Sequence, residues 1–149
     1  MSAATPRRRA RELVLQGLYE RHLAGSPDES IRSDLAASPG FARADQAYFD
    51  ELWRGVTRDS AAVLENVRPK LDRRAEELSP VERSILMIGA WELANRPDIP
   101  YRVVINEAVE LAKTYGGTDG HRFVNGVLDK LAPELRGAEI AASRLKRES

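Results

Sequence analysis

Four arginines crowd the start of the chain: Arg7, Arg8, Arg9 and Arg11. A guanidinium stays charged at any ordinary pH and presents a rigid fork of N–H donors that matches a phosphate. Several of them beside a folded surface are therefore the raw material of a phosphate-binding patch. The 149-residue chain carries 23 Lys and Arg against 23 Asp and Glu, so its formal net charge is zero. The positive charge is thus a local placement, and the composition gives no general affinity for polyanions. A basic N-terminus can equally be a solvated, frayed end. The arginines alone leave both readings open.

A second cluster follows the turn Gly116-Gly117-Thr118-Asp119-Gly120, where His121, Arg122 and Phe123 open a helical stretch. No strand precedes these glycines and no Gly-Lys-Ser/Thr follows them, so a helix–helix turn explains them better than a nucleotide loop. The turn leaves a helix N-terminus open, where backbone N–H groups and Arg122 could meet a phosphate. Phe123 offers a ring on which a base could stack, or a core residue on the stripe of Val127, and periodicity fits both. Tyr19 sits at the edge of the first apolar stripe.

Other chemistry finds little support. Glu107 and Glu110 lie one turn apart and read as a solvated face or as partners of Lys113 and nearby arginines. His22 and His121 have no metal-ligand spacing, and cysteine is absent. No catalytic residue, metal or cofactor is expected. The missing cysteines fit a cytoplasmic protein. No apolar run approaches the roughly 18 residues that span a bilayer, and no apolar segment with a cleavage site follows the arginines.

The elements that must position these residues are helical throughout. Ala10, Leu13, Val14, Gly17 and Leu18 share one face, and Gly25-Ser26-Pro27 stops that helix. A short helix begins at Asp28, and Ser38-Pro39-Gly40 turns the chain. Asp45 caps a long third helix with the stripe Phe49, Leu52, Trp53, Val56, Val63, Leu64, Val67 and Leu71, weakened at Gly55 and broken near Pro69. Ser79-Pro80-Val81-Glu82 is a strong helix start. The next helix carries Val104, Ile105, Ala108, Leu111, Ala112 and Tyr115, and the last carries Phe123, Val124, Val127, Leu128 and Leu131. Six or seven helices with short connections predict an all-α bundle.

Three segments resemble the NusB family of bacterial transcription antitermination factors. They are Arg7-Arg8-Arg9-Ala10-Arg11-Glu12 with Gln16-Gly17-Leu18-Tyr19, then Ile99 to Lys113, then His121 to Lys130. Val81-Glu82-Arg83 and Trp91-Glu92-Leu93 fit the same pattern. The resemblance covers residues 5–136 and implies two small helical bundles packed together. On that reading residues 1–136 form one RNA- and protein-binding domain and residues 137–149 a flexible C-terminal tail.

The resemblance also implies a non-catalytic role. The chain would bind the boxA element of nascent ribosomal RNA together with NusE, a small-subunit ribosomal protein, in an RNA polymerase complex with NusA and NusG. It assigns RNA contacts to Arg7, Arg8, Arg9 and Arg11, and a second RNA surface to Asp119, Arg122 and Phe123. Arg122 stands where the family often has Lys, which keeps the charge and adds a bidentate option. The partner surface would use Tyr19 and Glu82 with Glu76 and Glu77, acids suited to a basic ribosomal protein. Asn106 and Glu107 would hold the joint after Pro100. Two alternatives stay open: a protein-interaction module whose RNA contact is weak until NusE joins, and a homodimer that hides the arginines as a storage form. NusB-like domains also precede some ribosomal RNA cytosine methyltransferases, but no methyl-donor domain follows within these residues.

Overall fold

The structure, a computed structural model, describes residues 5–148. Eight α-helices and three short 3-10 turns account for the described elements, and no strand occurs among them. Helix α1 (Pro6–Ala24) starts where Thr5 accepts a hydrogen bond from the Arg8 backbone N–H at 3.1 Å and Pro6 takes the first helical position. It ends at Gly25, whose φ of 66° is the left-handed conformation that suits glycine. The arginine cluster therefore lies inside the first two turns of α1, and the helix fixes which way each side chain points.

Helix α2 (Asp28–Ala36) and a 3-10 turn (Pro39–Arg43) lead to α3 (Gln46–Arg58), where Asp45 caps by accepting from the Tyr48 N–H at 3.0 Å. The single long helix expected here is divided at Asp59, with φ −98° and ψ 17°, and restarts as α4 (Ser60–Val67). The apolar stripe skips the turn between Val56 and Val63, where the facing positions are Asp59 and Ser60. Nothing buried holds that turn straight.

Helix α5 (Pro80–Asn95) begins with the expected capping box: the Ser79 hydroxyl accepts from the Glu82 N–H at 3.1 Å and donates to Glu82 Oε2 at 2.8 Å. Every residue from Ser84 to Leu93 is buried, which makes α5 the centre of the molecule. It packs on α1, α3 and α4 on one side and on α6 (Tyr101–Tyr115) and α7 (Gly120–Leu135) on the other. One continuous core runs through both groups.

Three helical glycines admit large side chains from a neighbouring helix. A Cβ at Gly17 would stand 2.7 Å from Trp53, one at Gly89 2.8 Å from Leu128, and one at Gly55 2.2 Å from Trp91. The weak point at Gly55 is therefore a socket. A Gly-to-Ala change in a helix normally gains up to about 1 kcal/mol in propensity. At Gly55 overpacking against the buried Trp91 ring costs about 1–3 kcal/mol, so Gly55→Ala should lower stability despite that gain. Thermal unfolding checks the sign, and an unchanged or higher Tm would refute it.

The segment expected to be a loose tail forms α8 (Gly137–Glu148). Its anchor is polar, which is why no apolar stripe announced it. The Arg136 guanidinium is buried and donates to the carbonyls of Glu92 (3.2 Å), Leu93 (2.7 Å), Arg96 (2.7 Å) and Ile99 (2.9 Å). It also binds Glu139 Oε1 at 2.6 Å, and Glu139 Oε2 accepts from the Tyr101 N–H at 2.9 Å. The joint after Pro100 is thus held by Glu139 rather than by Asn106 and Glu107. Ile140 packs on the core, whereas the remainder of α8 buries nothing. No helix among the described residues is long and apolar enough to cross a membrane.

Candidate nucleic-acid interface

Helical geometry sorts the four arginines by face. Arg7 lies 4.0 Å from Asp45 and stacks 4.4 Å above the Tyr48 ring. Arg8 forms a fork with Glu107, Nε to Oε2 at 2.8 Å and Nη2 to Oε1 at 3.2 Å, and that bond holds its pKa above the ordinary value. Arg9 makes no ion pair among the described residues and lines a cavity beside α1. All three remain partly exposed.

Arg11 does not belong with them. Its side chain is 3% exposed, its Nε bonds Glu92 at 3.0 and 3.1 Å, and its Nη2 lies 2.9 Å from Glu92 Oε2. Burial opposes the charge, but Glu92 and Glu107 keep the guanidinium pKa raised. Tyr48 completes the cluster by donating its hydroxyl to Glu92, and burial with the Glu92 charge pushes the phenol pKa up. As a core ion-pair residue, Arg11 is removed from the expected surface patch. A signal existed: Arg11 falls on the stripe of Val14 and Leu18, and Glu92 on that of Ile85 and Ile88. Opposite charges on two buried stripes mark a pair that must meet. Tyr48 carried no such mark beside the more obvious Phe49.

At the other end, Asp119 is exposed at the start of α7 and makes no side-chain cap, and Arg122 is exposed nearby. Phe123 is half-buried against the core, with the Arg73 guanidinium 4.5 Å above its ring. Its face is therefore covered by a neighbouring cation. A Cβ at Gly120 would stand 3.2 Å from Glu82 Oε1, so the start of α5 abuts the start of α7. Glu76 and Glu77 lie in the 3-10 turn Ala75–Glu77, held by Arg68 at 3.0 Å and Arg74 at 3.1 Å. The bond from Arg68 keeps the Glu76 carboxyl below its usual range.

A cavity of about 620 Å³ joins these pieces, lined by Arg9, Glu12, Gln16, Tyr19, Val81 and Tyr115. Tyr115 closes α6 and donates to Glu12 Oε2 at 2.7 Å, which bridges the arginine end of α1 to the loop before Asp119. Val81 brings in the residue next to Glu82. Arg9, Tyr19, Val81 and Tyr115 thus meet around one cavity, while Arg8 lies beside Glu107 in a separate groove. No cluster of His, Cys, Asp or Glu suited to a metal occurs among the described residues.

A sequence model of the NusB family matches residues 8–133. The chain belongs to the NusB family. It is 56% identical over 138 residues to the transcription antitermination protein NusB of Paraburkholderia phytofirmans, an alignment covering 93% of this chain and 96% of that one. The NusB of Azoarcus sp. strain BH72 is 49% identical, with 100% and 97% covered. Among solved structures, NusB from T. maritima superposes with a TM-score of 0.78 at 30% identity, covering 89% of this chain and 94% of that one. A NusB solved with NusE and double-stranded RNA has the same fold, with a TM-score of 0.73 at 22% identity over 85% and 96% of the two chains. The matched span begins inside the arginine cluster and includes the start of α7.

Proposed function

We propose that this chain is a non-catalytic transcription antitermination factor that binds boxA RNA of nascent ribosomal transcripts together with NusE, within an RNA polymerase complex that also holds NusA and NusG. The observation that carries the RNA part is the placement of exposed arginines at two helix starts, Arg7, Arg8 and Arg9 on α1 and Arg122 on α7, with Arg9 on the rim of the cavity. It offers charge at two separated points on an otherwise neutral molecule, which suits a strand that must cross the surface in one register. Tyr19 lines the same cavity and Glu82 adjoins its Val81, where an acidic rim meets a basic ribosomal protein. The family membership and the names of its relatives support the reading.

Replacing Arg8 and Arg9 together with Ala should weaken boxA binding and leave the helical content unchanged. Each phosphate contact to a single strand contributes about 0.7 to the slope of log affinity against log salt, so the double variant should lose about 1.4 of that slope. Fluorescence anisotropy across a salt series reads it. An unaltered slope would remove both arginines from the interface.

One observation favours partner-dependent binding. Arg7 and Arg8 already have carboxylate neighbours in Asp45 and Glu107, so RNA must compete for them. Weak binding by the chain alone and tighter binding once NusE is added would follow. Titrating the same RNA with and without NusE decides this, and equal affinity would exclude it.

A further inference from the structure

The cavity beside α1 contains one polar atom that the fold leaves without a partner. Glu12 Oε1 is buried and accepts no hydrogen bond, while its twin Oε2 takes the Tyr115 hydroxyl. A buried carboxylate oxygen without a donor is costly, and Glu12 is one of the residues lining the cavity, so a ligand seated there that reaches the carboxylate would supply the donor. The rim is aromatic: the Tyr19 and Tyr115 side chains are 41% and 48% exposed. Arg9 stands at the same rim without an ion pair among the described residues, available to a backbone phosphate.

Resting on the RNA-binding reading above, we infer that this cavity seats one nucleobase that bears an exocyclic amino group, which donates to Glu12 Oε1. Cytosine, adenine and guanine each present such a donor. Uracil does not: its N3–H lies between two carbonyl oxygens that the carboxylate would repel. The cavity is several times the volume of a base, and a planar ring can lie against Tyr19 or Tyr115, since stacking is tolerant of base identity. The carboxylate then supplies the selection that stacking lacks. Tyr115 is the last residue of α6 before Gly116-Gly117, and its half-exposed ring can swing aside to admit the base. A basic side chain from a protein partner could also donate to Glu12. The rings and Arg9, which has no ion pair among the described residues, favour a base.

The test deletes amino groups one at a time. In boxA RNA each cytosine is changed to 2-pyrimidinone, each adenine to purine and each guanine to hypoxanthine, and binding is measured with the full chain and NusE. One deletion should weaken binding by the wild-type chain about tenfold, as expected for loss of a single bond to a charged acceptor. The same deletion should cost nothing in Glu12→Ala, whereas Tyr115→Phe, which keeps the carboxylate, should retain the sensitivity. Glu12→Leu replaces Glu12→Ala if circular dichroism shows that alanine disturbs the fold, and it should also abolish the tenfold effect, because it keeps the bulk and has no acceptor. RNA binding that ignores every deletion, or a sensitivity that persists without Glu12, would overturn the base seat and leave RNA binding standing. Loss of NusE binding in Glu12→Ala with the amino sensitivity intact would assign the cavity to the protein partner and also overturn it. No binding of any RNA by the wild-type chain with NusE would overturn the broader reading.

Discussion

Glu92→Ala is expected to destabilise the fold by about 3–5 kcal/mol, because it leaves a buried guanidinium without its counter-charge. Glu92 is 1% exposed on the central helix and takes bonds from Arg11 and from the Tyr48 hydroxyl. Without it, Arg11 keeps only Glu107, 4.0 Å from Nη1. The Coulomb attraction at that distance does not replace three close donor–acceptor contacts in a desolvated site. Chemical denaturation with the slope m held constant measures the loss. Replacing Glu92 and Arg11 with Leu and Tyr48 with Phe should recover most of the deficit, since apolar residues of similar bulk carry no desolvation penalty and leave no buried hydroxyl without its acceptor. A loss below about 1 kcal/mol in Glu92→Ala would mean that water or a rearranged Glu107 satisfies Arg11. The consequence reaches the surface, because Tyr48 also lies beneath Arg7 and Glu107 holds Arg8.

Arg136→Ala is the second large effect, expected at about 3 kcal/mol or more. The side chain fills the C-terminal end of α5, where the last carbonyls of a helix have no intrahelical donor and carry partial negative charge. One guanidinium donates to four carbonyls here; those of Glu92 and Arg96 also accept a backbone N–H, so Leu93 and Ile99 are the acceptors that Arg136 alone serves. Each buried acceptor stripped of its donor costs about 1–3 kcal/mol, although the losses will not simply add. Lysine has one ammonium where arginine has a fork, so Arg136→Lys should restore only part of the stability. Hydrogen exchange gives the second readout. Amides of α8 should exchange faster in both variants, since Glu139 also loses its partner. Unchanged exchange in α8 would show that Ile140 and the bond from the Tyr101 N–H to Glu139 hold the helix without Arg136.

The helical class and most element ends were legible because apolar spacing and caps act locally. Asp45 and Ser79 are ends of that kind. What escaped was set by contacts between distant parts of the chain. The division at Asp59 follows from a gap in a stripe that a periodicity count smooths over. Helix α8 depends on Arg136, and a charged residue near a chain end reads as solvated until its carbonyl partners are known. In the site, a run of arginines carries no label saying which one turns inward. Only the phase of α1 against Val14 and Leu18 separates Arg11 from Arg7, Arg8 and Arg9. Glu12 was legible as part of a motif but not as a cavity wall, because its neighbour Tyr115 lies 103 positions away.

The sockets at Gly17, Gly55 and Gly89 have an implication for how this sequence can vary. Trp53 of α3 enters α1, Trp91 of α5 enters α3, and Leu128 of α7 enters α5. Helices α1, α3 and α5 are thus each keyed to a later one. A larger residue in any socket is acceptable only if the inserted side chain shrinks, so substitutions here should arise as matched pairs. A single unmatched change would shift a helix crossing and carry α1, with its arginines, out of alignment with the start of α7.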